Sequence, residues 1–404
     1  MKMPPKPKVM ILAPDLPYPV TSGGRRRMES LIRGMADFGA VHVACIAREN
    51  PSDCSKRLAQ TGCTMAHYRR QSRGPMQLWF RRMAMILQSS SLVCYPDERR
   101  FFDRQFLEFK PDIVWLETPY LLRYAIEWIR RVPVIVDYWG TSEGARRDYV
   151  QARGFRKAWE YLRWRSAAGG ERKYAPLISD IVTVSTLDGE YFRAISPRSR
   201  IWPIPVSIDD PASALLAQED PLALIMTGDL SYRPNADAAQ YFVKEIFPLI
   251  RAAHPLAHAR FVGRNPSPAV QSLQSVAGVE VHGFVPELAR FIAESAVYIL
   301  PMRLGSGIPT RLFDVFPVGK PIVSTSVGVE GLELRHRQEC LIADTAPEFA
   351  RACCALLADE AERRRLGANA MKMATQLYSR ERVAQLIREA VKTAIASFYN
   401  RAVD

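Results

Sequence analysis

The ten residues Gly305 to Asp314, GSGIPTRLFD, follow the apolar run VYILPM and join a glycine turn, a helix-starting proline, an arginine and an acid. A buried strand that runs into such a turn and then a helix is a common way to hold an anion. The glycines let backbone come close, and the helix start offers free N–H groups. Arg311 and Asp314 lie three apart, so a cation and a carboxylate can grip two parts of one ligand. Gly23-Gly24, in LAPDLPYPVTSGGRRR, follows the first apolar run and opens a helical stretch; alone, the pair reads equally as a plain turn. In MTGDLSYRPNADA a strand stops at Gly228 and Pro234 starts a helix, so Arg233 either meets an anion there or is a solvated neighbour of the cap. FVGRNPSP, carrying Arg264, and VHGFVPELARFI, carrying Phe284, Val285 and Leu288, end strands at the same sheet edge. Two acids close strands of the first half, Glu117 in DIVWLET and Asp137 in VPVIVDY. Either they orient a hydroxyl and accept its proton, or they cap the next helix; Asp137 is the favoured of the two for the first role.

These residues need a frame that brings strand ends together. The first half alternates apolar runs (KVMILAP, VHVACIA, DIVWLET, VPVIVDY, DIVTVST, IWPIP) with helical stretches, and residues 50 to 110 read less clearly, with helical pieces near 75–90 and 97–110. A linker, VSIDDPASALLAQEDP, precedes a second alternation: LALIMTG, ARFVG, VEVHGF, VYILPM, PIVST, ECLIAD. Near-continuous apolar strands joined by helices indicate parallel sheets covered on both faces. Two doubly wound α/β domains in series place their ligand crevices at the C-terminal strand ends. The expected division is 1–208, 209–380 and a last helix, 381–404, that crosses back to the first domain, with a cleft between the domains.

Composition narrows the class. With 404 residues and 48% of them apolar, two cores fit the chain. No run of eighteen apolar residues is present, and the apolar run Val9 to Ala13 is too short for a signal-peptide core, so a cytoplasmic place is expected. The seven cysteines form no Cys-x-x-Cys pair and read as free thiols. His254 and His258 are separated by Pro255, which argues against a shared helix face, and no Asp-x-Asp occurs, so no metal or cofactor is expected. G-x-G-x-x-G and Walker patterns are also missing. The net charge of +13 calls for an anionic partner. Residues 69–83 and 146–173 interleave arginines with Trp79, Phe80, Trp159 and Trp164. That pattern fits an anionic membrane surface and fits equally a solvated face whose aromatics point inward. No nucleic-acid motif accompanies the charge, and no nucleic-acid partner is expected.

Extended to LPMRLGSGIPTRLFDVFPVGKPIVSTSVGVEGLE, the opening motif resembles the donor segment of family 4 glycosyltransferases (glycosyl transferases group 1), which have the GT-B fold. The match includes Arg303, Gly-Ser-Gly, a basic residue, an acid, Gly-x-Pro and Gly-x-Glu-Gly; the likeness runs from about residue 9 to 380 and is strongest over 225–332. The resemblance implies two facing Rossmann-like domains and a retaining, metal-independent transfer of a sugar from a nucleotide-sugar donor to a saccharide or lipid-linked acceptor. It implies backbone contact with the donor at Gly23 and Gly24, a diphosphate at Arg311, ribose hydroxyls at Asp314, the sugar at Ser306, Gly307 and Ile308, and the base along Gly283 to Leu288. Asp314 stands where the family usually has glutamate, Ser306 where the first of two glutamates stands, and Asp229 where many members have arginine. Phosphate charge then falls to Arg233, Arg264, Arg303 or Arg311. Pro317 should shorten the motif helix. The same departures leave a second reading open, a sugar-nucleotide-binding GT-B protein that no longer catalyses.

Overall fold

The computed structural model describes residues 6–70, 94–209, 217–305 and 307–401. The chain divides into two compact units, Met1–Val206 with Arg380–Asp404, and Ser207–Ser379.

The first unit holds seven parallel strands: β1 (Lys8–Ala13), β2 (Ala40–Ala47), β3 (Thr64–Arg69), β4 (Ile113–Leu116), β5 (Val134–Tyr138), β6 (Asp180–Thr183) and β7 (Arg200–Pro203). Their order is β3-β2-β1-β4-β5-β6-β7, so the winding reverses between β1 and β4. Alternation along β1 feeds two cores, as the pleat requires. Val9, Ile11 and Ala13 face helix Gly23–Ala36, while Met10 and Leu12 face Phe102, Trp128 and Phe192. The C-terminal helix, Arg380–Arg401, belongs to this unit and buries Val383, Ile387, Val391 and Ile395 in the first of those cores.

β3 was not legible as a strand. TMAHYR has no continuous apolar run, because β3 is the sheet edge and its burial is only partial. The helical piece expected near 97–110 is helix Pro96–Phe109; the one expected near 75–90 lies outside the described residues, as do Trp79 and Phe80.

The second unit holds β8 (Asp220–Thr227), β9 (His258–Val262), β10 (Val279–His282), β11 (Ser295–Leu300), β12 (Ile322–Ser324) and β13 (Leu341–Ile342). The order is β10-β9-β8-β11-β12-β13, again parallel, with the reversal between β8 and β11. Phe242, Phe247, Phe261 and Phe349 cluster on one face. The stretch from Arg233 to Ala253 is helical throughout but passes through a π turn at Phe242–Ile246 just before Pro248. A proline cannot donate to the carbonyl four residues back, and the wider turn accommodates the loss. Glu219 accepts from Arg363 Nη2 at 2.8 Å and from Lys320 Nζ at 2.5 Å, tying the start of β8 to the end of the unit's sequence. Both units are Rossmann-like, and the fold is GT-B.

Candidate functional site

In the second unit the site is built around two interlocked loops at the reversal of the sheet. Gly228 ends β8 with φ +139°, a region that favours glycine. A Cβ on Gly263 would lie 1.6 Å from the Gly228 carbonyl oxygen, so the loop after β9 rests directly on the loop after β8. Gly228 N–H donates to Val262 at 3.0 Å, and Leu230 N–H to the Arg264 carbonyl at 2.9 Å. Arg311 lies across this platform. Its Nη1 donates to the Thr227 carbonyl at 3.0 Å, and its Nη2 donates to Asn235 Oδ1. A Cβ on Gly228 would sit 3.2 Å from Arg311 Nη1, so only glycine leaves room for the guanidinium. Both hydrogen-bond partners of Arg311 are neutral. The residue as a whole is half-buried, but its guanidinium is withdrawn from water, and burial lowers its pKa. Tyr298, buried beneath and hydrogen-bonded to Thr227 Oγ1 at 2.8 Å, opposes that shift only in part.

Asp314 follows in a single helical turn, Leu312–Val315, which passes into a 3₁₀ turn at Phe316–Val318 and stops at Gly319 with φ +68°. Pro317 lies in that second turn. So short a helix has little dipole, and positive charge at this place rests on Arg311. Gly305 and Gly307 take φ of +126° and +79°. Ser306 between them lies outside the described residues, and Ile308 beside them is half-buried.

The other arginines are placed differently. Arg303 donates to Asp237 at 2.9 and 3.2 Å, reaches Glu245 at 3.5 Å and stacks 4.2 Å over Tyr241. Its charge is already answered. Arg264 faces Asp229 at 4.0 Å. Arg233 is exposed at the first position of helix Arg233–Tyr241, and Pro234 follows it. Phe284 is 72% exposed beyond β10, Val285 is half-buried and Leu288 opens helix Leu288–Ala293. The β10 end lies two strands from β8, about 10 Å away.

In the first unit Gly23 and Gly24 open helix Gly23–Ala36, capped by Ser22 Oγ accepting from Arg25 N–H at 3.3 Å. A Cβ on Gly24 would lie 2.5 Å from Cζ3 of Trp139, so the indole sits against the helix entrance. One turn further, Arg27 is 2% exposed. Its Nε and Nη2 donate to the two oxygens of Asp137 at 2.9 and 2.8 Å, and its Nη1 donates to the Ile204 carbonyl. Asp137 and Glu117 are both 0% exposed. Neither oxygen of Glu117 meets full hydrogen-bond geometry, nor do Thr118 Oγ1, Trp115 Nε1 and Trp139 Nε1, although the Trp139 indole lies near enough to both carboxyls to hold their pKa down in part. These five atoms are most of the eight buried side-chain polar atoms left unpartnered among the described residues. Such a concentration beside two carboxyls is unusual for a core. Burial and the neighbouring Asp137 charge push the Glu117 carboxyl well up, against the pull of Arg27. Burial also raises the Asp137 carboxyl, but the bidentate contact with Arg27 pulls it back, so Glu117 is the more strongly raised of the two.

The two acids expected from the sequence are buried here, and Arg27 and Trp139 beside them were not expected. Arg27 had a signal: it falls on the apolar stripe of its helix with Leu31 and Met35, where a charged residue needs a buried partner. Trp139 had none, since its role comes from the approach to Gly24.

Two Rossmann-like units in series give the GT-B architecture, and family models place the chain among glycosyltransferases. Family models match both units: glycosyl transferase 4-like domain over residues 22–206, and glycosyl transferases group 1 over 221–359. The chain belongs to the group 1, or family 4, glycosyltransferases. Comparison with curated proteins by sequence gives no match. Among solved structures it is similar to sucrose-phosphate synthase from Thermosynechococcus elongatus, with TM-score 0.69, 14% identity, and 97% of this chain and 100% of that one covered. It is also similar to Anabaena HepE in complex with UDP, with TM-score 0.68, 12% identity, and 96% and 100% covered. A glycosyltransferase from Rickettsia africae gives 0.64 and 12%, with 97% and 99% covered. Among the described residues no helix is long and apolar enough to cross a membrane.

Proposed function

We propose that the chain transfers a sugar from a nucleoside-diphosphate sugar to a saccharide or lipid-linked acceptor, with retention at the anomeric carbon and without a metal. The observation that carries the donor side is Arg311, a guanidinium withdrawn from water and answered only by neutral oxygens. A leaving diphosphate gathers negative charge as the glycosidic bond breaks. A pre-placed, desolvated cation stabilises that charge more than it stabilises the ground state. Asp314, one turn on, holds the ribose hydroxyls. Gly307 and Ile308 line the sugar, and the Phe284 to Leu288 segment receives the base. HepE structures hold UDP and UDP-glucose, which makes uridine the first base to test.

The first unit serves the acceptor. Asp137, locked to Arg27, is a fixed negative charge. Glu117, carrying a proton, donates to a hydroxyl oxygen rather than removing its proton. The chain works at the cytoplasmic side, on an anionic membrane surface where a lipid-linked acceptor would lie.

Thermal stabilisation by UDP, GDP, ADP, dTDP and CDP tests the donor side, since a ligand of the folded state alone raises its melting point. One base should give a clear shift, and Arg311→Ala should weaken that binding by about tenfold or more, the worth of a lost charged hydrogen bond. No shift with any of the five would overturn the donor assignment. Release of sugar or transfer from the matching donor separates catalysis from a binding protein of the same fold.

A further inference from the structure

The two helices that follow β5, Ser142–Gln151 and Phe155–Tyr174, form a hairpin with few buried side chains. The longer helix has twenty residues, and among those whose side chains are described only Glu160 is buried. Its inner side is only half-buried: Tyr174 packs against the core that holds Phe192, and Glu171 accepts from Tyr191 Oη at 2.6 Å. The partner helix adds to this hold: Tyr149 stacks on Trp164 at 5.7 Å and meets Tyr161 at 5.3 Å, and Arg163 pairs with Asp148. What remains faces water. Ala158, Tyr161, Leu162, Arg165, Gly169 and Arg172 are all exposed and recur every three or four residues, which is one stripe of a helix. Trp159 is 38% exposed, Leu162 41% and Val150 61%. Residues 142–174 carry nine basic and four acidic side chains, a net +5 of the chain's +13.

We propose that this hairpin is a docking surface for an anionic lipid bilayer, lying in the interface with Trp159, Tyr161 and Leu162 in the headgroup–acyl boundary and Arg153, Arg165 and Arg172 against lipid phosphates. Charge alone fits any polyanion. Leu162 and Val150, aliphatic side chains left in water among the arginines, favour a membrane, because they gain by leaving water there and have no base-stacking role on a nucleic acid. The inference deepens the membrane placement proposed above; it rests on the first unit alone, and its failure would leave the donor assignment, read by nucleotide-dependent melting, untouched.

Sedimentation with vesicles tests it, using phosphatidylglycerol and phosphatidylcholine in equal parts against phosphatidylcholine alone. The intact chain should bind the first and not the second. Arg153→Glu with Arg165→Glu and Arg172→Glu should lower partition by about tenfold or more, each charge near such a surface adding to the attraction. An equal charge change in the other unit, Arg290→Glu with Arg351→Glu and Arg364→Glu, should leave most of the binding. Trp159→Ser with Leu162→Ser should also lower it, while leaving the nucleotide-dependent melting shift in place. These positions are exposed, and melting curves confirm that each variant folds. No binding by the parent, equal loss from both charge sets, or partition indifferent to the Trp159 and Leu162 changes would each overturn the proposal. The last, joined to tight salt-sensitive binding of DNA, would assign the surface to nucleic acid instead.

Discussion

Arg311 and Arg27 are both withdrawn from water, and they differ in what answers their charge. Arg27 meets a carboxylate in bidentate contact; Arg311 meets a carbonyl and an amide. A desolvated cation without an anion is a cost to the empty protein that a bound diphosphate removes. Arg311→Met should therefore raise the melting point of the ligand-free chain while abolishing its response to the nucleoside diphosphate; a fall in both would make Arg311 a structural residue only. Glu117 gives a pH test. Its folded pKa is raised, so between the ordinary carboxylate range and the raised value the folded chain binds a proton that the unfolded chain has released. Stability must then fall as pH rises through that window. Glu117→Gln has no proton to lose. Its melting point should exceed the parent's by a few degrees at about pH 8 and match it at about pH 4, and a difference independent of pH would refute the assignment. The acids were legible because a carboxylate ending an apolar run is conspicuous. The indole and hydroxyl around Glu117 were not, since nothing in their spacing says that the ends of β4 and β5 converge.

At the scale of elements, the proposed donor platform depends on two glycine loops that touch. Gly263 has no unusual φ to announce it; its need for glycine comes from the Gly228 carbonyl, 1.6 Å from where a Cβ would stand. Gly263→Ala must push the β9 loop off the β8 loop and move the Thr227 carbonyl that positions Arg311. The expected result is a loss of about 1–3 kcal/mol in stability, the usual cost of overpacking, together with loss of the nucleotide response. Full nucleotide binding in a destabilised variant would show the platform to be dispensable. Most strands were readable because parallel strands covered on both faces are apolar throughout. β3 was not, since an edge strand needs apolar residues on only part of its surface. The π turn before Pro248 was also invisible: the apolar period continues across it, and only the proline hints that the backbone widens.

For the whole molecule, the decisive feature is the return of helix Arg380–Arg401 to the first unit. Val383, Ile387, Val391 and Ile395 are at most 3% exposed. At about 1.5–3 kcal/mol for each large side chain buried, the four contribute roughly 6–12 kcal/mol as an upper bound, comparable to the whole stability of a domain. Ending the chain at Ser379 should therefore melt the first unit, read as loss of protection in β1 and β2 by hydrogen exchange, while the second unit keeps its own core. Equal protection in both units would show that the helix is an accessory. The double alternation of strands and helices was plain in the sequence. The helix's destination was legible only as a surplus, one helix more than a single sheet layer needs.

That return also sets an order of events at the ribosome. The strands of the first unit are made early, yet the helix that covers Leu31, Ile32 and Met35 is translated only after the 173 residues of Ser207–Ser379. At about 5–20 residues per second, the nascent first unit waits roughly 9–35 s with that apolar seam open. During that interval the seam is a natural target for chaperones and a hazard for crowded polysomes.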